Sequence, residues 1–289
     1  MPLLRNTRSR RSTKRHVNPH RILFTSLLLP ALAFADDEPT SSTSQVSEPF
    51  VDQVTGLTME RFFGARTSFT FAFALPESQP AANTTAGSFI GQIQFPLVNG
   101  EGWGSAGLTG DMEGNFILAV WPDSKGGVMA SFRQAIDEDN PAEVSGDFKV
   151  RPLPDGVSVN ETSLLYTFLC ENCLDSTLGL GPEAAGNAVM GWAMSEKPPR
   201  GDPSNPGAVL GFHERGFGPF TARLAEAKTA GFDAVAAKAL APVGDSGRAV
   251  PTIPNAFQDG GDSGDESGNE AGGADGVDDD SGDESDDDD

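Results

Sequence analysis

The sequence predicts an all-β protein built as an antiparallel β-sandwich, and two observations support this fold class. Residues 67–75 alternate, with Phe69, Phe71 and Phe73 on one face and small or hydroxyl residues on the other, which is the period of a strand. Gly, Pro, Asn and Asp separate the further short apolar runs, which cover residues 89–97, 116–121, 128–132, 148–153, 163–169 and 188–194. Short strands joined by turns favour a sandwich over alternating strands and helices.

A short helical segment is predicted only at the C-terminal end of the domain. Residues 222–241 are rich in alanine, and Leu224, Phe232 and Val235 are the expected packing residues. Prolines in residues 242–258 then predict a linker.

Residues 1–35 have the pattern of a secretory signal peptide. Seven basic residues and no acid precede an apolar run of 14 residues that ends in Ala33-Phe34-Ala35, a small-x-small pattern. Because a membrane span needs about 20 residues, a membrane anchor is disfavoured. The long, Arg- and Ser-rich basic part leaves a mitochondrial presequence as the alternative. Glycosylation sequons at Asn83 and Asn160 favour secretion to the extracellular space.

The remaining chain is predicted to hold a linker (36–46), one folded domain (47–241), the proline-containing linker (242–258) and a tail (259–289). The tail contains 15 acidic residues and almost no apolar ones, which predicts disorder. Its functional alternative is a weak calcium-binding or electrostatic docking segment.

The net charge limits the possible partners. Removing residues 1–35 takes away seven of 20 basic residues and none of 42 acidic residues, so 13 − 42 leaves a formal charge of −29. We therefore expect neither nucleic acid nor membrane as a partner.

One histidine, His213, remains after residue 35, and this excludes any site that needs two imidazoles in one chain. Phe212, Phe217 and Phe220 lie near it in sequence together with three glycines, a composition that suits the flat face of a porphyrin. Methionine is a second neutral ligand of haem iron. Met112 is the candidate because it lies in a polar loop, whereas other methionines lie in strand patterns.

Two glycine-rich stretches, at residues 102–107 and 179–184, spell the dinucleotide-binding fingerprint. Neither is followed by a predicted helix, so nucleotide binding is disfavoured. For the pair Cys170 and Cys173, a zinc site lacks further ligands, a thioredoxin-like dithiol lacks its α/β context, and covalent haem attachment lacks a following histidine. A structural disulfide is the favoured interpretation.

The chain resembles the cytochrome domain of fungal cellobiose dehydrogenase. The resemblance extends over residues 48–240 and depends on Met112, residues 115–121, 131–133, 168–173 and 191–193, and His213 with residues 216–218. It implies an immunoglobulin-like sandwich of the DOMON type. It further implies a non-covalent haem b held between Met112 and His213, and a disulfide between Cys170 and Cys173.

Phe217 and Phe220 are the expected haem-contacting residues because of their place in the aromatic, glycine-rich stretch around His213. The resemblance also implies that Arg133 lies near a haem propionate. The family usually has a tyrosine about five residues after this arginine, whereas this chain has Glu138 there and Asp137 beside it. The flavin-bearing domain of the family is not found after residue 241.

With both axial positions filled, such an iron transfers single electrons and has no vacant position for a substrate. By resemblance, we expect a secreted, monomeric electron-transfer protein without substrate turnover of its own. Its expected partners are a flavin dehydrogenase as donor and a lytic polysaccharide monooxygenase as acceptor. The alternatives are a DOMON-type module that binds carbohydrate or haem without redox duty, and an acidic surface protein with a purely structural sandwich.

Overall fold

The structure is a computed structural model and describes residues 44–78, 87–136 and 140–261. It contains two β-sheets, in agreement with the predicted antiparallel sandwich. The first sheet is formed by β1 (Glu48–Val51), β2 (Thr58–Gly64), β3 (Phe69–Pro76), β4 (Phe89–Pro96), β9 (Lys149–Val159), β10 (Ser163–Glu171) and β13 (Lys228–Thr229). The second is formed by β5 (Trp103–Gly107), β6 (Phe116–Pro122), β7 (Val128–Gln134), β8 (Ala142–Ser145), β11 (Asn187–Ser195), β12 (Gly216–Arg223) and β14 (Val250–Pro251).

The strand order is β1-β2-β3-β4-β10-β9 in the first sheet, with β13 beside the end of β3, and β12-β11-β5-β6-β7-β8-β14 in the second. The pairs β13–β3 and β14–β8 are parallel, and the other strand pairs are antiparallel.

All seven strands predicted from apolar runs are confirmed, as β3, β4, β6, β7, β9, β10 and β11. The sequence did not predict β5, which has glycine, serine and alanine in place of an apolar alternation and is nevertheless buried along its whole length. This strand contains most of the first glycine-rich stretch, so that stretch lies in a sheet and opens no helix.

The predicted short C-terminal helix is confirmed, although it covers only part of the alanine-rich range 222–241. The range begins at the end of β12, where Ala222 pairs with Ala188 of β11 and is fully buried. The α-helix, α1, covers only Phe232–Ala236. The local alanine content favours a helix, but pairing with β11 and burial in the core decide the backbone of the first residues. The three predicted packing residues are buried.

The space between the sheets is filled by an aromatic core. Phe62 stacks on Phe220 with ring centroids 4.6 Å apart, and Phe71 meets Phe220 edge-on at 6.3 Å. A second apolar cluster lies on the outer face of the first sheet, where Ala72 and Ile90 pack beneath Phe232 of α1. The disulfide between Cys170 and Cys173 is present at the end of β10.

Residues 242–258, which we expected to be a linker, pack along the edge of the sandwich. Val243 donates its backbone N–H to the carbonyl of Val150, at 3.0 Å. Further along, Ile253 exchanges two hydrogen bonds with the side chain of Gln134. Its proline and glycine content is typical of a linker. Its packing against the domain depends on backbone hydrogen bonds, which cannot be predicted from composition.

Several predictions fall on residues outside the described ranges. These are the signal peptide, most of the linker 36–46, the Asn83 sequon, the acidic pair Asp137 and Glu138, and the tail from residue 262. Within the described residues, no helix has the length and apolar character to cross a membrane.

Candidate functional site

The two faces of the second sheet are lined differently, and the outer face carries the candidate site. Side chains alternate between the faces of a strand. On β11, Met190, Trp192 and Met194 belong to the core between the sheets. Gly191 and Ala193 therefore lie on the outer face.

One row of residues across this outer face has small side chains only. Ala193 of β11 pairs with Ser105 of β5, Ser105 pairs with Ala119 of β6, and Ala119 pairs with Ser131 of β7. We call these four residues the small-residue row. At its β12 end, Phe217 pairs with Ala193. Three of its members, Ser105, Ala119 and Ser131, are buried.

On one side of the row lies the methionine loop, residues 109–115. It crosses the neighbouring pair Gly107 and Gly191, and a Cβ added at Gly191 would lie 2.7 Å from the carbonyl oxygen of Thr109. Only glycine allows this approach of the loop to the sheet. A Cβ at Gly107 would collide with the side chain of Asn115 in the same way.

Asn115 fixes the shape of this loop. Its Nδ2 donates to the carbonyls of Thr109 and Asp111, at 2.8 and 2.7 Å, and its Oδ1 accepts from the Thr109 N–H at 3.1 Å. The backbone N–H of Asn115 also donates to the carbonyl of Met112, at 3.2 Å. Met112 is half-buried at the centre of the loop. Sequence reasoning gave Asn115 no role, and its position directly before an apolar run was the available signal.

On the other side of the row lies the histidine segment, residues 206–213. Its Ala208 and Leu210 pack against Trp103 and Trp121, which flank the small-residue row on the side away from Gly107. The methionine loop and the histidine segment therefore lie on opposite sides of one row of small residues.

The imidazole of His213 lies between two exposed phenylalanines. Its ring centroid is 4.6 Å from that of Phe212 and 4.2 Å from that of Phe217. These two rings are 72% and 62% exposed, which is unusual for phenylalanine beside a half-buried residue. Burial lowers the pKa of His213, while its own backbone and the charge of Glu214 oppose this. The neutral ring, which is the form that binds a metal, is therefore favoured near neutral pH.

Polar atoms around this region lack partners. Among the described residues, His213 Nδ1, Trp103 Nε1 and Thr109 Oγ1 are buried without a hydrogen-bond partner. Three further buried atoms without partners lie elsewhere in the described residues, namely Arg61 Nε, Tyr166 Oη and Trp192 Nε1. Buried polar atoms are nearly always satisfied, so the three near the candidate site are available to a bound group. One imidazole, one thioether, a row of small side chains and an aromatic wall fit a flat macrocycle that brings its own metal ligands.

Arg133 lies on the same outer face but is used by the protein itself. Its Nη2 donates to the carbonyls of Pro206 and Ala208 at 2.6 and 2.7 Å, its Nη1 donates to Pro141 at 3.2 Å, and its Nε donates to Ser131 at 2.8 Å. Four of its five N–H groups are thereby occupied. Burial lowers the pKa of Arg133 to about 10, opposed by the charge of Glu143. Arg133 therefore anchors the start of the histidine segment, and one N–H remains for another acceptor.

Phe220 is not brought to the site. It lies on the face of β12 opposite to Phe217 and is 0% exposed in the core between the sheets. Phe217 and Phe220 thus lie on opposite faces of β12, because residues three apart on a strand point to opposite faces.

The other predicted features lie away from this site. Asn160 is exposed in the turn between β9 and β10, where its Oδ1 accepts from the Thr162 N–H at 2.8 Å. The second glycine-rich stretch, residues 179–184, follows the 3₁₀ turn Ser176–Leu178 and opens no helix. Within the described ranges, no group of three or more His, Cys, Asp or Glu side chains could hold a metal ion by itself.

Comparisons with known proteins show which family this chain is similar to. Residues 50–234 match the family model of the cytochrome domain of cellobiose dehydrogenase. A solved structure of that domain from Myriococcum thermophilum is 28% identical with a TM-score of 0.59, and the match covers 68% of this chain and 98% of that one. The cytochrome b domain of pyranose dehydrogenase from Coprinopsis cinerea is 26% identical with a TM-score of 0.57, covering 70% of this chain and 97% of that one. This chain belongs to the family of cellobiose dehydrogenase cytochrome domains.

Proposed function

We propose that this protein is a secreted haem b cytochrome that passes single electrons between an extracellular flavin-type donor and an acceptor such as a lytic polysaccharide monooxygenase. One observation carries the proposal. The methionine loop and the histidine segment, which leads to His213, lie on opposite sides of the small-residue row. Family membership supports the cytochrome assignment.

His213 and Met112 are the residues that would hold the haem iron, and bound haem would supply reversible one-electron chemistry. Burial keeps the imidazole of His213 neutral, so its lone pair is available without loss of a proton. Phe217 restricts the orientation of this ring through the contact at 4.2 Å. On the other side, Asn115 holds the loop that presents the thioether.

This ligand pair favours electron transfer over substrate turnover. A neutral thioether would favour the reduced state of haem iron, and a haem held by both Met112 and His213 would supply electron transfer rather than oxygen or peroxide chemistry. The chain would then act as a carrier without substrate chemistry of its own.

Charge supports encounter with a basic partner. The residues after 35 include 13 basic and 42 acidic side chains. Long-range attraction to a positively charged surface accelerates association, and salt screens it. We therefore expect electron transfer to a basic acceptor to slow as ionic strength rises.

Absorption spectroscopy of the haem-supplemented protein tests the proposal. The oxidised and reduced spectra should be those of a low-spin b-type cytochrome, His213→Ala should remove the low-spin bands, and Met112→Leu should shift them. Met59→Leu is the matched control, because Met59 is buried beneath α1 on the first sheet. A protein that stays colourless after supplementation would contradict the proposal and leave a carbohydrate-binding module as the better assignment.

A further inference from the structure

The C-terminal segment lies directly against the methionine loop. β14 extends the second sheet beside β8. The chain after β14 then passes so close to Gly114 that a Cβ added at Gly114 would collide with the backbone of Ala256 and Phe257. Gly114 has φ +69°, a conformation that glycine adopts at no steric cost. The backbone of the loop and the backbone of the C-terminal segment are thus packed without an intervening side chain.

The side chain of Gln134 joins these two segments. Gln134 is buried at the end of β7, and its Oε1 accepts from the Ile253 N–H at 2.8 Å. Its Nε2 donates to the Ile253 carbonyl at 3.0 Å and lies 3.5 Å from the Gly114 carbonyl. One amide group therefore satisfies both backbone groups of Ile253 and reaches the loop that carries Met112.

Backbone hydrogen bonds complete the attachment. Gly114 donates to the carbonyl of Ala135 at 2.6 Å, and Ala135 donates to the carbonyl of Asn115 at 3.2 Å. At the other end of the loop, Thr109 lies against Gly179, which follows the 3₁₀ turn Ser176–Leu178. In this turn, the carbonyl of Thr177 accepts the N–H of Asn255 at 2.7 Å. The C-terminal segment is therefore tied to structure at both ends of the methionine loop.

We propose that residues 250–257 form a clasp that holds the methionine loop, and that Gln134 is a positioning residue for Met112 acting through this clasp. The effect on iron ligation rests on the proposed function, whereas the effect on the loop itself does not. A thioether is a weak neutral ligand, so its binding depends on a loop that is already held in place. The clasp supplies that order from a segment outside the matched domain, residues 50–234.

Hydrogen exchange on the full-length, haem-free protein tests the clasp independently of haem. Gln134→Glu replaces the amide donor by a carboxylate that faces the carbonyls of Ile253 and Gly114. We expect exchange at the amides of residues 109–115 and 250–257 to rise about tenfold or more, since losing a buried hydrogen bond costs on the order of 1–3 kcal/mol. Amides of β3 and β10 should be unchanged.

Gln53→Glu is the matched control, because Gln53 is exposed and bonds only to the carbonyl of Val51 among the described contacts. Ile253→Pro is the second variant. It removes the N–H that Gln134 accepts while leaving Gln134 in place, and it should reproduce the pattern of faster exchange. Exchange that rises in residues 250–257 but not in residues 109–115 would overturn the clasp.

The haem-loaded protein tests the positioning role. At temperatures well below unfolding, Gln134→Glu should lower the reduction potential. It should also weaken the absorption band that arises from methionine bound to ferric iron. A lowered unfolding temperature with an unchanged potential and band would make Gln134 a structural residue only and overturn its positioning role. If neither the wild-type protein nor any variant binds haem, the proposed function is wrong. The hydrogen-exchange experiment on the haem-free protein then still tests whether residues 250–257 hold the methionine loop.

Discussion

The outer faces of the two sheets are covered by different kinds of structure. On the first sheet, α1 closes the face with Phe232 and Val235 over Ala72 and Ile90, and this cluster is apolar throughout. On the second sheet, no such helix lies over the small-residue row within the described residues, and the methionine loop and the histidine segment lie on either side of it. One outer face is therefore covered by a helix that packs on apolar residues, whereas the other is bordered by two loop segments that carry the candidate ligands.

The largest expected effect comes from breaking the closed face. Phe232→Ala should reduce the free energy of unfolding by about 3–5 kcal/mol, because it removes a fully buried aromatic ring and leaves a cavity. Chemical denaturation measures the loss. The visible spectrum of the haem-loaded protein should stay the same, and a changed spectrum would mean that the two faces are coupled.

A larger side chain in the small-residue row should affect both ligand binding and folding, because Ser105 is buried. Ser105→Leu adds volume between Ala193 and Ala119, and we expect haem affinity to fall by about tenfold to a hundredfold, as overpacking costs on the order of 1–3 kcal/mol. Haem titration measures the affinity. Ser105→Ala is the control and should bind normally. Equal affinity in the leucine variant would place the haem elsewhere.

Loosening the methionine loop should alter ligation more than affinity. Asn115→Ala removes the side chain that bonds both ends of the loop, at a cost of roughly 1–3 kcal/mol in loop order. The reduction potential should fall as methionine ligation weakens. Asn160→Ala, in the exposed turn between β9 and β10, should leave the potential unchanged. Equal potentials in both variants would argue against Met112 as a ligand.

The smallest expected effect concerns the aromatic contact with His213. Phe217→Ala should weaken haem binding by roughly 0.5–1.5 kcal/mol, the range of an aromatic pair, because the imidazole loses the neighbour that orients it. Phe63→Ala is the control, since Phe63 is similarly exposed on the first sheet. A titration that gives the same affinity for both variants would remove Phe217 from the site.

Local sequence patterns predicted much of the sandwich, because alternation in β3 and short apolar runs report burial directly. They missed β5, whose glycines and serine are dictated by what lies over them, namely Phe95 against Gly104 and Asn115 against Gly107. They also assigned residues 222–241 to a helix, since composition carries no information on pairing with β11.

The same limit applies to the candidate site. His213 and Met112 were identified from their unusual context and from the family resemblance. The small-residue row was not, because it joins four strands that are far apart in sequence. The ordered segment after residue 241 was missed because its contacts are made by backbone groups and by Gln134.

The parallel pair of β14 and β8 also bears on solubility. Unpaired strand edges are sites at which chains add to one another, and natural sheets protect them with short strands and proline. Val250 and Pro251 occupy the edge beside Val144 and Ser145, and Pro251 has no N–H to offer a further strand. The same segment that contacts the methionine loop therefore ends the second sheet, and a chain cut before residue 250 should be more prone to self-association through β8.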